Sequence, residues 1–330
     1  MKIQTLSRLK PFSHTPGTAC FIPGTHWKLE AYPTLIKIGH YEIPLHVTGP
    51  VRDFTVELDL EHNCVWVFGQ AKEGFYRLKI QATKKGFEIW ADRTPKAGLC
   101  HGKGTLQAKE HFLISENAGF SLPENGERLS LGAHKKQDWD LVWRRFDLRE
   151  ILPVLFDLGQ KTPATGKKPS KGPVNLLETG DWEAFCRAAF SKILVPRLVD
   201  DHYQGLFTDS DLEGHASHLL SEAAKKIRDL FFRQCETHLH LLPQVTFESG
   251  MLTHIQAPGI GELDLEWSKG MLRRAILRAV KNAEVFLDLQ KGIKSYRVRT
   301  KLKEKGRSQK ANDLLRIETG KTYYLDRFQK

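Results

Sequence analysis

Phe54-Thr55-Val56-Glu57-Leu58-Asp59-Leu60, Tyr76-Arg77-Leu78-Lys79-Ile80 and Gly86-Phe87-Glu88-Ile89-Trp90 alternate apolar and polar side chains. Alternation turns one row of side chains into a core and the other into water, so each segment predicts a half-buried strand. Turn signals punctuate them at short intervals: Thr48-Gly49-Pro50, Glu61-His62-Asn63, Lys72-Glu73-Gly74, Lys84-Lys85-Gly86 and Arg93-Thr94-Pro95. Short strands broken this often predict an N-terminal antiparallel β-sandwich, placed at residues 1–122.

Working outward, the rhythm changes after Pro123. Trp139, Val142, Trp143 and Phe146, then Ile151, Leu152, Leu155 and Leu158, recur at helical spacing. Asp147 and Pro153 divide this stretch into two helices, with Pro153 expected near the first turn of the second. Residues 161–173, rich in Lys, Pro, Gly, Ser and Thr, predict an exposed loop. Asp181 can cap a helix that turns Trp182, Phe185 and Phe190 inward, and a longer helix is expected from His215 to about Thr237. These helices make a middle segment at 123–243. Beyond Pro243 the signal returns to strands, with Leu252–Ile255, Gly261–Trp267, Leu272–Arg278, Val285–Leu289, Tyr296–Val298, Leu314–Ile317 and Thr322–Leu325 forming a small C-terminal β domain at 244–330. The expected class is therefore α+β, with a helical middle between two β segments.

The chain has 330 residues, 40% hydrophobic and 27% charged, a composition that can build a packed core. Its first residues carry no apolar run of signal-peptide length, and no stretch reaches the about 18 apolar residues of a membrane span. The expectation is a cytoplasmic protein with no membrane partner. Five scattered cysteines, Cys20, Cys64, Cys100, Cys186 and Cys235, without a CxxC pair, predict free thiols. The net charge is +11, concentrated at Lys161–Lys171 and Lys291–Arg307. Such runs are usually solvated faces, but the second, with Tyr296 among Arg297, Arg299 and Lys301, gives an alternative function as a nucleic-acid or polyanion binder.

The order of elements from Ser221 to Leu289 carries a resemblance. A helix leads through Leu239-His240-Leu241-Leu242-Pro243 and Gly250 to Gly261-Glu262-Leu263-Asp264-Leu265-Glu266-Trp267-Ser268-Lys269-Gly270-Met271-Leu272 and a basic alternating strand. This resembles the C-terminal end of α-L-fucosidase-type inverting glycosidases and their maltose-phosphorylase-like relatives. The resemblance implies a β-sandwich before a helical barrel and a small β-sandwich after it. It also implies carbohydrate chemistry. The departure lies in the middle: such a barrel needs about twelve helices, and residues 123–243 hold far fewer, so the implied catalytic part is cut down. The expected protein is either a reduced glycoside hydrolase or a sugar-binding descendant of one.

Two polar clusters are candidates for that chemistry. Arg197, Asp200, Asp201, His202 and Gln204 combine carboxylates, a histidine and an amide. An inverting glycosidase holds its two carboxyl groups about 6.5–9.5 Å apart, so adjacent Asp200 and Asp201 need a partner such as Asp138 or Glu178. The competing explanation is a loop whose aspartates cap the next helix. Near His134, the residues Asp138, Trp139, Asp140, Trp143, Arg144 and Arg145 offer an aromatic face for sugar C–H groups and charges for hydroxyls. The i, i+4 spacing of the tryptophans equally fits a core stripe. The expected catalytic set is Asp138, Asp200 and Asp201, and the expected substrate-binding set is Trp139, Arg197, His202 and Gln204. His215 with His218, and Cys235 with His238 and His240, lack the spacing of established metal motifs, so no metal is assigned. No P-loop, GxGxxG helix start or GxSxG elbow is present, and no cofactor is expected.

Overall fold

The computed structural model describes residues 2–4, 8–102, 104–124, 126–133, 135–169, 171–190, 193–199, 202, 215–244 and 246–330. The chain divides into two compact units, one of residues 8–123 and 135–223, the other of 1–7, 124–134 and 224–330. Residues 135–223, with four helices and the start of a fifth among the described residues, cluster with the N-terminal strands.

The first unit opens with β1 (Phe12–Ser13), β2 (Thr18–Phe21), β3 (Lys28–Tyr32), β4 (Leu35–Ile38) and β5 (Tyr41–Pro44). It continues through β6 (Arg52–Asp59), β7 (Cys64–Gln70), β8 (Phe75–Thr83), β9 (Gly86–Arg93), β10 (Leu99–His101), β11 (Gly104–Leu106) and β12 (His111–Ser115). Two antiparallel sheets result, ordered β1-β6-β7-β8-β9-β12 and β2-β3-β4-β5, beside the small hairpin β10-β11. The alternation read from the sequence is realised in β8, where Tyr76, Leu78, Ile80 and Ala82 are buried between half-exposed neighbours. Leu29, Ala31, Ile36 and Ile38 line the buried side of the smaller sheet. The expected antiparallel β architecture is present.

The helices of this unit are α1 (Trp139–Arg145), α2 (Leu148–Gln160), α3 (Pro173–Thr179) and α4 (Trp182–Phe190), with β13 (Arg128–Ser130) preceding them in the chain. Phe146 in the left-handed region ends α1, and the Asp147 carboxylate caps α2, so two helices form where two were expected. Pro153 lies inside α2, a turn later than expected. Asp181 accepts from Ala184 N at 3.0 Å, while Trp182, Phe185 and Phe190 are buried.

In the second unit, α5 (Ala216–Phe231), whose residues from Ala224 on belong here, runs straight into β14 (Phe232–Cys235) and β15 (His238–Leu241). The helix expected to reach Thr237 therefore stops a turn and a half early. Its last turn is stopped by the returning strand, since Leu242 and Gln244 donate backbone N–H groups to Phe231 and Leu230 carbonyls. Glu236 in the left-handed region closes a two-residue hairpin that pairs Cys235 with His238.

The remaining strands are β16 (Gly250–Ala257), β17 (Gly261–Ser268), β18 (Met271–Ala279), β19 (Ala283–Asp288), β20 (Ser295–Arg299), β21 (Arg307–Lys310), β22 (Leu315–Ile317) and β23 (Thr322–Gln329). A seven-stranded sheet, β13-β16-β17-β18-β23-β20-β21, and a four-stranded sheet, β14-β15-β19-β22, give this unit its sandwich-like layers. Leu263, Leu265, Ala275, Leu277, Tyr296, Val298, Tyr323 and Leu325 form the buried face of the larger sheet. Its other face is stitched by charge: Arg297 Nε to Asp326 Oδ1 at 2.7 Å, Arg299 to the same carboxylate, and Arg278 to Glu262 and Asp264. The strand reading of residues 272–278 holds, whereas β13, β14, β15 and β21 have no counterpart in the sequence-based assignment.

Candidate functional site

Among the residues expected to form a site, Asp138, Trp139 and Arg197 have structural partners in the fold. Asp138 is the N-cap of α1, its Oδ1 accepting from the backbone N–H groups of Asp140 at 3.1 Å and Leu141 at 3.3 Å. Trp139 is 2% exposed, and the cavity beside it, walled by Phe12, Cys20, Leu58 and Leu194, measures about 10 Å³. That is room for no more than one water, so Trp139 cannot stack on a sugar ring. Trp143, one turn on and part-exposed, lies 6.5 Å from Trp139 ring to ring. Arg197 is exposed but turns inward to close the chain after α4: its Nε donates to the Ala188 carbonyl at 2.9 Å and its backbone N–H to that of Ala189. His202 and Glu178 are exposed. Asp200, Asp201, Gln204 and His134 lie outside the described residues.

A larger concave site forms elsewhere in the same unit. The open edges of its two sheets, β5 and β12, flank a groove of about 580 Å³ lined by Tyr41, Glu42, Ile43, Pro44, His101 and Phe112 among others. At one end the Tyr41 hydroxyl donates to Glu116 Oε2 at 2.6 Å, tying β5 to the residue just past β12. At the other, His101 bridges to Leu45 and lies flat on Phe112, with 4.6 Å between ring centroids and 7° between planes. The two strands therefore run in opposite directions along the groove.

Each element of this rim has a local cause. Pro44 has no N–H to offer a neighbouring strand, so β5 ends its sheet there. Gly102 lets the β10-β11 hairpin approach β5, because a Cβ on it would meet Pro44 Cγ at 2.9 Å. Tyr41 is held from behind by Trp27, stacked at 6.2 Å, and by His40 at 4.0 Å. Trp27 in turn fills the space over Gly39, whose φ of +55° and a Cβ position 2.5 Å from the indole both require glycine. The hydrogen bond to Glu116, burial and the Glu116 charge together raise the Tyr41 pKa, so the phenol remains a proton donor at neutral pH. Two aromatic rings, the Glu42 carboxylate, an imidazole and the apolar side chains of Ile43, Pro44, Leu113 and Ile114 thus meet in one groove, with Glu116 at its end, the mix of apolar lining and a few polar groups expected of a binding site.

The remaining candidates resolve as follows. His215 Nδ1 lies 2.8 Å from Ser217 Oγ and His218 Nε2 lies 2.9 Å from the Gly166 carbonyl, so the two rings have separate partners. Tyr296 is fully buried, and burial pushes its pKa up to about 12, so it cannot stack on a nucleic-acid base. Arg297 and Arg299 are engaged with Asp326. All five cysteines are free thiols, and burial raises those of Cys20, Cys64 and Cys186 to about 12. Neither a scan against protein-family models nor a search of curated proteins finds a match for this chain.

Proposed function

We propose that this protein binds carbohydrate in the groove between β5 and β12. The observation that carries the reading is the pair of aromatic rings, Tyr41 and Phe112, at opposite ends of one concavity whose walls are otherwise apolar, through Ile43, Pro44, Leu113 and Ile114, and carry Glu42, His101 and Ser115 as polar groups. Sugars present C–H patches that pack on aromatic rings and hydroxyls that need donors and acceptors. Ser115, the Tyr41 hydroxyl and the remaining lone pairs of the exposed Glu42 carboxylate offer such groups. The resemblance of residues 221–289 to glycosidase C-terminal domains points to the same ligand class. Binding without turnover is the favoured form, because Asp138 is consumed as a helix cap and Glu116 and Glu42 already hold Tyr41 and Lys37.

The test is a glycan array probed with the full chain. Retention on one class of glycan is expected, lost in Phe112→Ala and unchanged in Asp138→Asn. Absence of retention on every glycan, or loss in Asp138→Asn with Phe112→Ala unaffected, would refute the reading.

A second reading rests on the β20-β21 connection, where Lys301, Lys303, Lys305 and Arg307 are exposed and Leu302 is 49% exposed. This loop, rather than Tyr296, Arg297 and Arg299, would be the polyanion contact. Its binding to heparin should fall steeply with salt and disappear when the three lysines are replaced by glutamine.

A further inference from the structure

On the four-stranded sheet of the second unit, His238 and His240 are two apart on β15 and so share a face. β15 pairs in parallel with β19, setting His238 against Phe286 and His240 against Asp288. Asp288 Oδ2 lies 3.3 Å from Nδ1 of His238 and 3.3 Å from Nδ1 of His240. The His238 ring is stacked on Phe286 at 4.8 Å and 16°, which sets its plane, while both imidazoles and the carboxylate remain open to solvent.

A zinc-class ion sits about 2.0–2.2 Å from its nitrogen and oxygen ligands, which in a tetrahedron places ligand atoms about 3.3–3.5 Å apart. Each imidazole already keeps that distance from the carboxylate, the two imidazoles stand farther from one another, and closing the set requires the part-exposed His240 ring to swing toward His238 on its Phe286 support. Neighbouring cations do not fill the space: Arg233, opposite His240, donates from Nε to the Asp229 carbonyl at 3.0 Å. Arg316 is paired with Glu284 at 3.0 Å.

A tighter cluster, His254, Glu262 and Asp264, brings its ligand atoms within 4.8 Å of one another. There the positive charge is built in. Arg278 binds Glu262 Oε1 at 2.8 Å and Asp264 Oδ2 at 2.6 Å, and Asp264 Oδ1 accepts the His254 backbone N–H where β16 bulges. A dication would have to displace a guanidinium and undo the bulge, so this cluster is structural.

We propose that His238, His240 and Asp288 bind a divalent transition-metal ion of the zinc class, with the fourth position open to water. An i, i+2 histidine pair on a strand with a carboxylate from the adjacent strand supplies two borderline nitrogens and one anionic oxygen, a ligand set suited to zinc or cobalt. Cys235 stands opposite His238 across the hairpin, on the same face, and is not needed for the three-ligand set.

Cobalt(II) titrated into the full chain tests this. One equivalent should saturate a visible d–d absorption of tetrahedral intensity. The double variant His238→Ala/His240→Ala should weaken binding by more than about a hundredfold while keeping the wild-type circular dichroism. His254→Ala and Cys235→Ser should leave the stoichiometry and the band unchanged. No saturable uptake, a band that survives in the double variant, or a band lost in His254→Ala or in Cys235→Ser would overturn the assignment.

Discussion

Trp139 and Tyr41 are both aromatics beside a carboxylate in the same unit, and they do opposite work. Trp139 is 2% exposed beside a cavity of about 10 Å³, and its neighbour Asp138 is occupied by two backbone N–H groups. Tyr41 lies half-exposed on a groove of about 580 Å³, with its hydroxyl on Glu116. Residue type alone treats these pairs as equal candidates. What separates them is the edge: α1 is packed against β1, whereas β5 and β12 each end a sheet and leave an aromatic rim open.

The comparison can be broken from its interior side first. Trp139→Ala should cost about 3–5 kcal/mol, the usual range for emptying a buried aromatic site, read as a lowered denaturation midpoint. Glycan affinity of the folded fraction should not change; a specific loss of affinity would move Trp139 back into the binding machinery. Trp139→Phe should be far milder, because the indole N–H it removes is buried without a hydrogen-bond partner.

The next effect concerns pH. Burial works to raise the Asp59 pKa, but hydrogen bonds from Lys10 and from the side chain and backbone of His62 outweigh it and leave the carboxyl below its ordinary value. A depressed pKa contributes stability that is fully present above the unfolded value of about 3.9 and lost as pH falls through the folded one. Asp59→Asn should therefore lose about 2 kcal/mol near neutrality and show a flatter decline in acid-titrated melts. An unchanged slope would remove Asp59 from the account of acid sensitivity. Smaller still, Asp138→Ala should cost about 1 kcal/mol as a lost cap, with glycan retention intact. Tyr41→Ala should abolish glycan retention while lowering stability less than Trp139→Ala does, which sharpens the contrast.

The same contrast explains how much was legible in the sequence. Alternation in 54–60, 76–80 and 86–90 exposed the N-terminal sheets because a period-two pattern is a local property of a half-buried strand. The hairpin of β14 and β15 was hidden, since the apolar stripe of α5 runs through Leu230, Phe231 and Phe232 and the turn at Glu236-Thr237 carries neither Gly nor Asn. Asp138 and Trp139 drew attention through composition, and the cap explanation weighed for Asp200 and Asp201 is the one that applies to Asp138. The groove as a site was not readable. It joins residues 41–44 to 101–102 and 112–115, and only the topology that leaves β5 and β12 as edges brings them together. The residues that could have hinted at it are Pro44, which suits a sheet edge, and Gly102, where the hairpin approaches Pro44 closely.

The central claim is tested most directly by amide chemical-shift mapping of the full chain with the glycan selected on the array. Saturable shifts confined to Tyr41–Ile43, His101 and Phe112–Glu116, and abolished in Phe112→Ala, are the predicted result. Shifts centred on Asp138, Trp139 and Arg197, with the groove unchanged, would contradict it.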